Sequence, residues 1–227
     1  MQAEDRIIHF STELLHAPTV FQKPQLQKLY FDLAQTRAGY DNTDFTVPGR
    51  PRFHSHRGAR TQSVALFLPD RIVLIEEWAD ISLSEYVANV REVASRVVDL
   101  LPANAFNVHV ATLRSTFALT HCRDARVFLL ERVCRQEGRL EPHFHRPIAI
   151  GGMRFVLPQV PGHRGELHVA IESFRHAVDE VLVEIKGIFG DAAIGREQLD
   201  ALERNVESVR AFVTSSIHPF LDQYDTP

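Results

Sequence analysis

Ile8, Phe10, Thr12 and Leu14 fall on alternate positions, the period of two that predicts a first strand within residues 2–14. Pro24 then opens a predicted helix with Leu26, Leu29, Tyr30 and Leu33 on one face and Gly39 as its stop. Residues 40–60 are polar and broken by Pro and Gly, so they read as a long loop or a ragged strand. The apolar runs Val64–Leu68 and Ile72–Glu77, joined by Pro69, Asp70 and Arg71, read as a hairpin. Ser82 with Glu85 forms a capping box. Behind it Tyr86, Val90, Val93, Val97 and Leu100 recur at helical spacing, which predicts an amphipathic helix ending at Pro102.

The second half has a similar order. Phe106, Val108 and Val110 alternate, and Phe117 and Leu119 continue after a change of phase near Thr112 that suggests a bulge. Asp124 caps a predicted helix carrying Val127, Leu130 and Val133 and closed at Gly138. Pro147–Leu157 reads as a strand interrupted at Gly151 and Gly152. Leu167, Val169 and Ile171, then Val181, Val183 and Ile185, predict another strand pair. A long helix over Arg196–Ile217 sets Leu199, Leu202, Val206, Val209 and Val213 in one stripe, with Phe212 beside it and Pro219 as its disruption. Both halves therefore read strand, helix, strand pair, long helix. That order suggests a duplicated strand-helix-hairpin-helix unit, with half-repeats 1–103 and 104–227 in a single domain. Hairpin-linked strands interspersed with helices predict the α+β class, with an antiparallel or mixed sheet and long helices packed on one face.

Composition narrows the class further. The chain has 227 residues, 44% of them hydrophobic and 24% charged, with 11 Gly and 12 Pro, which fits a globular protein. No apolar run approaches the ~18 residues of a membrane span, and the start MQAEDRIIHF predicts no signal peptide. Cys122 and Cys134, read as the two ends of one helix, would lie about 18 Å apart, too far for a disulfide. A reducing, cytoplasmic setting is expected. The formal charge of −4 argues against general nucleic-acid binding. The charge is nonetheless uneven. Arg50, Arg52, Arg57 and Arg60 sit beside His54 and His56 with no acid between Asp44 and Asp70, whereas 172–203 is acid-rich.

VALFLPDRIVLIEEW at 64–78 followed by Tyr86, VATLRSTFAL at 110–119, HFHRPIAIGGMRFVLP at 143–158 and FVTSSIHPFL at 212–221 resemble a sporadically distributed bacterial family of uncharacterised proteins. The resemblance implies kinship of fold and carries no assigned activity. Family members often have an Arg-Tyr-apolar-Asn run where this chain has Arg114, Ser115, Thr116 and Phe117. Arg114 matches and the rest departs.

Two chemistries are worth weighing. His54 with His56, and His143 with His145, are His-x-His pairs; on strands each pair would share a face, and two facing pairs could hold zinc or a similar transition metal. The flanking Arg52, Arg57 and Arg146 oppose a dication and favour an anion. An Arg/His-lined anion site would draw on Arg114, His143, His145, Arg146 and Arg154, with the Gly151–Gly152 amides contributing. The alternative for Arg146 and Arg154 is ion pairing with Glu137, Glu141 or other acids. Arg114, inside an otherwise apolar strand, needs a ligand or a partner, for which Glu172 is a candidate. Glu76 and Glu77 beside Trp78 read as a paired-acid dyad or as charge guarding a sheet edge. No nucleophile elbow, Walker loop or His-Glu-x-x-His is present. These features predict a non-enzymatic binding or interaction protein with a small anionic ligand. The rival is a metal-dependent enzyme built on the histidine pairs. The charged flank of the last helix, with Glu203, Arg204, Glu207 and Arg210, suggests a homodimer.

Overall fold

A computed structural model describes residues 6–56, 58, 60–78 and 80–227, the Glu141 side chain excepted. Arg57 and the first residues of the predicted opening strand lie outside the described residues. The chain runs β1 (Arg6–Leu15), α1 (Lys23–Ala34), β2 (Asn42–Asp44), β3 (Arg52–His56), β4 (Gln62–Phe67), β5 (Arg71–Glu77) and α2 (Leu83–Val97). It continues with β6 (Ala105–Phe106), β7 (Val108–Ala118), α3 (Ala125–Val127), α4 (Glu141–Phe144), β8 (Gly152–Leu157), β9 (Glu166–Ser173) and β10 (Glu180–Phe189). The last elements are β11 (Ile194–Gly195), α5 (Asp200–Phe212) and α6 (His218–Asp222). Among the described residues, nine strands form one sheet in the order β2-β3-β4-β5-β1-β7-β10-β9-β8, and β11 pairs with β6 separately. Every ladder is antiparallel, so the class is α+β.

Alternation along each strand divides the sheet into two unlike faces. Phe10, Leu14, Ile72, Leu74, Leu113, Phe117, Val183 and Ile185 are buried on the helix side. α2 lies there, its Tyr86 ring stacked on Phe10 at 4.9 Å, and the Tyr86 hydroxyl donates to the Leu74 carbonyl at 3.3 Å. The Ser82 capping box is formed: Ser82 Oγ accepts from Glu85 N, and the Glu85 carboxylate accepts from Ser82 N at 2.8 Å. α5 packs against β7 and β10 on the same side, as the two long stripes require. Gly187 of β10 permits this, because a Cβ there would stand 2.7 Å from Val209 Cγ2. α2 and α5 touch each other and are tied by Arg91, which reaches Asp200 at 2.6 Å and Glu203 at 3.0 Å. Glu203, on the helix flank that suggested a dimer, is therefore engaged within the chain.

Several local expectations change. The ragged 40–60 stretch yields β2 and β3, and α1 ends at Ala34 rather than at Gly39, through a turn in which Thr36 bonds back to Leu33. β7 pairs with β10 in unbroken register through Thr112. The irregularity lies instead on β1, between Ile7 and His9. The change of phase near Thr112 has another cause: β7 is a central strand whose Val110 is buried on the face opposite Ala111 and Leu113. α3 passes into a π-helical turn over Phe128–Val133. The wider turn rotates Phe128 and Leu129 into the core in place of Val127 and Leu130. Strand structure starts at Gly152, not at Pro147. Pro219 does not disrupt the last helix, because a π-helical turn over Val213–Ile217 brings the His218 N–H to the Val213 carbonyl and leaves Pro219 in the first turn of α6. Proline lacks only an N–H that a first turn does not use.

No helix among the described residues is long and apolar enough to cross a membrane.

Candidate functional site

The face opposite the helices carries polar residues in register. His56, Gln62, Glu77, His9, Arg114, Glu184, Ala170 and Arg154 are successive cross-strand partners, so one row crosses the sheet from β3 to β8. Polar side chains pair across the strands along it and beside it. His9 Nδ1 lies 2.9 Å from Glu77 Oε1, Arg114 Nε donates to Glu184, and Arg154 reaches Glu172 at 2.9 Å. Directly opposed residues in a sheet have Cβ atoms only ~5 Å apart, so unlike charges placed there pair without long side-chain excursions.

A cleft of about 380 Å³ opens beside the middle of this row, where β5 and β9 end. His9, Glu77, Arg114, Glu172 and Glu184 form its polar wall, and Trp78, Phe174, His176 and Ile150 its ring-rich, apolar wall. Trp78 is the single Trp of the chain. Its φ of 49° puts a bulky side chain in the left-handed region, a strained conformation that concentrates at ligand sites. The Trp78 N–H donates to the Ile8 carbonyl at 2.7 Å, which holds the turn in place. The indole ring lies 6.4 Å from the His176 ring and carries the Arg60 guanidinium 5.3 Å above it.

The acids of the cleft are each matched: Glu77 by His9, Glu172 by Arg154, Glu184 by Arg114. Of the cations, Arg114 is matched by Glu184. Arg175 on the cleft wall has no carboxylate partner among the described residues, and Arg60 has the Trp78 ring. Burial pushes the His9 imidazole below its usual range, Glu77 opposes the shift, and the neighbouring Arg114 charge adds to it. A carboxylate only accepts hydrogen bonds, so a neutral His9 donates from Nδ1 to Glu77 and keeps Nε2 as an acceptor. That ring can receive a hydrogen bond or a proton from a bound molecule.

The residues singled out by sequence fare unevenly. Arg114 is in the cleft, and its partner is Glu184 rather than Glu172. Arg154 is held by Glu172, with its side chain 79% exposed, and Glu137 is not its partner; the Glu141 side chain lies outside the described residues. His143, His145 and Arg146 are exposed, on α4 and the turn after it, so they do not line the cleft. His143 and His145 stand on no strand, and His145 has a φ of 51°. His54 and His56 do share the open face of β3, their rings 5.5 Å apart. The four histidines do not assemble: among the described residues no group of three or more His, Cys, Asp or Glu is placed to hold a metal ion. The Gly151–Gly152 break serves packing, and the Gly151 N–H is taken by Ser173 Oγ. A Cβ on Gly151 would meet Leu130, one on Gly152 would run into the Ile171 carbonyl, and Gly151 exchanges bonds with Ser173. Glu76 and Glu77 are no dyad, because successive strand residues face opposite sides: Glu77 meets His9, while Glu76 is buried on the helix side, accepting from Ser63 Oγ at 2.7 Å. They guard no edge either, since β5 lies inside the sheet. In the basic 50–60 stretch, Arg52 pairs with Asp44 at 2.9 Å.

Sequence reasoning missed His9, Trp78, Arg175 and His176. His9 and Arg114 each sit one position out of phase with the apolar residues of their strands, which assigns them to the open face; nothing local says that the two are neighbours. A scan against protein-family models finds no match, and no curated protein matches the chain.

Proposed function

We propose that the protein is a non-enzymatic binding protein that takes a small anionic ligand with a planar part into the cleft beside Trp78. One observation carries this reading: the cleft's acids are already neutralised in pairs, while Arg175 and Arg60 flank a strained, ring-lined wall with no carboxylate of their own among the described residues. A guanidinium grips a carboxylate or phosphate through two parallel hydrogen bonds, and an aromatic wall adds stacking for a flat ring. Arg114 and His9 would then set the ligand's orientation.

Because Trp78 is the single Trp, its fluorescence reports on this cleft alone. Titration with aromatic carboxylates and aromatic phosphates is expected to give a saturable change, weakened at least tenfold in Arg175→Glu. A response to aromatic amines with none to the anions, or an anion response unchanged in Arg175→Glu, refutes the assignment.

The same strand order read outward from β1 and from β7 supports a duplication of residues 1–103 and 104–227: β1, β5, β4, β3 on one side, β7, β10, β9, β8 on the other. In each half a helix comes after the first strand and another after the last. The free thiols of Cys122 and Cys134 support a reducing, cytoplasmic setting.

A further inference from the structure

The two edges of the sheet are built differently. β2 is three residues long, and short edge strands offer little to a passing chain. β8 has six residues, with Phe155 44%, Val156 59% and Leu157 39% exposed. Its one charge, Arg154, is already tied to Glu172. A long apolar edge of this kind is a template for another strand.

The hydrogen-bond phase shows which backbone groups are on offer. Ser173 N–H donates to the Gly151 carbonyl at 2.8 Å, which fixes residues 151, 153, 155 and 157 as those bonded to β9. The N–H and C=O groups of Arg154 and Val156 therefore point outward, and nothing among the described residues bonds them. On the helix side Phe155 and Leu157 stand exposed, whereas Phe53 of β3, under α1, is fully buried.

We infer that β8 pairs antiparallel with β8 of a second copy of this chain, joining two sheets edge to edge across a two-fold axis through Phe155. The strand is self-complementary in this register and not in its neighbours. Arg154 then exchanges backbone hydrogen bonds with Val156 of the second copy, Phe155 meets Phe155, and Met153 meets Leu157 on the helix side. Shifting the axis to Arg154 sets two guanidinium groups directly opposite each other. Shifting it to Val156 sets Arg154 opposite Pro158, which has no N–H to give. The pairing is independent of the ligand assigned to the Trp78 cleft.

The test is sedimentation equilibrium of the full chain at micromolar concentrations, with two variants. Val156→Pro removes an N–H that points away from β9, and so spares the β9 ladder. Phe155→Lys places a charge at the axis on a side chain that is already partly exposed. The wild type is expected at about twice 25.8 kDa, and both variants near 25.8 kDa with wild-type far-UV circular dichroism. A wild-type chain that stays at 25.8 kDa on concentrating overturns the inference. So does a dimer that both variants leave intact, which would move the interface elsewhere, such as the flank of α5. Should Val156→Pro unfold the chain, a folded Phe155→Lys monomer still supports the pairing and a folded Phe155→Lys dimer still refutes it.

Discussion

His109 of β7 is fully buried against α5, with its ring 6.0 Å from Phe189 and its Nδ1 3.1 Å from Asn205 Nδ2. The Asn205 amide donates to Nδ1, so Nε2 carries the proton, and Nε2 has no partner among the described residues. Burial pushes this imidazole down from 6.5 to about 3. Folded and unfolded chains are both neutral here above pH 6.5, and the full stability is present there. Below 6.5 the unfolded chain takes up a proton that the folded chain refuses, so stability falls with pH at about 1.4 kcal/mol per unit until the folded group itself titrates. At about pH 5 the loss is ~2 kcal/mol, a large share of the ~5–15 kcal/mol that holds a domain folded. His109→Gln keeps an acceptor for Asn205 and does not titrate. Urea unfolding of both proteins at about pH 7.5 and pH 5 isolates the effect, because His9 and the carboxylates contribute equally to each. The gap between wild type and variant is expected to move by ~2 kcal/mol in favour of the variant as the pH falls. A gap that stays constant would show that His109 is protonated inside the folded chain, or hydrated there, and the reasoning would fail.

Packing and backbone geometry give two more expected outcomes. Val93 and Val209 are 0% and 1% exposed on the two long helices, so Val93→Asp or Val209→Asp buries an unpaired carboxylate at a cost of several kcal/mol and is expected to unfold the chain by circular dichroism; a wild-type melting temperature in either variant would place that stripe outside the core. Trp78 at φ 49° strains its Cβ in the left-handed region, so Trp78→Gly should melt higher than Trp78→Ala by the equivalent of ~1 kcal/mol, and equal melting would remove the strain from the account.

Much of the local structure could be read from the chain itself. The α2 helix was visible in Ser82, Glu85 and its apolar stripe, and the β4–β5 hairpin in two apolar runs around Pro69 and Asp70. Arg114 stood out as a charge in an apolar strand, and the structure sets Glu184 against it. Which partner was a matter of register. Glu172 lies two strands away, opposite Leu182, whereas Glu184 stands directly across from Arg114. The pairing of His9 with Glu77, and the meeting of Trp78 with His176, likewise join residues far apart in sequence. The histidine pairs mislead for a related reason: His-x-His shares a face on β3, but the second copy of the motif falls on α4 and a left-handed turn.

The sequence by itself determined the faces. Alternation of period two and stripes of period 3.6 express, residue by residue, whether a side chain meets water or the core, and each is set by backbone geometry over a few neighbouring positions. Only the tertiary structure decided the neighbours. Strand order and register arise from many weak cross-strand contacts summed over the whole sheet, and a one-strand change of order would leave every local pattern intact while dissolving the row from Glu77 through His9, Arg114 and Glu184. The cleft belongs to that row, and so it exists in the folded sheet and nowhere in the linear chain.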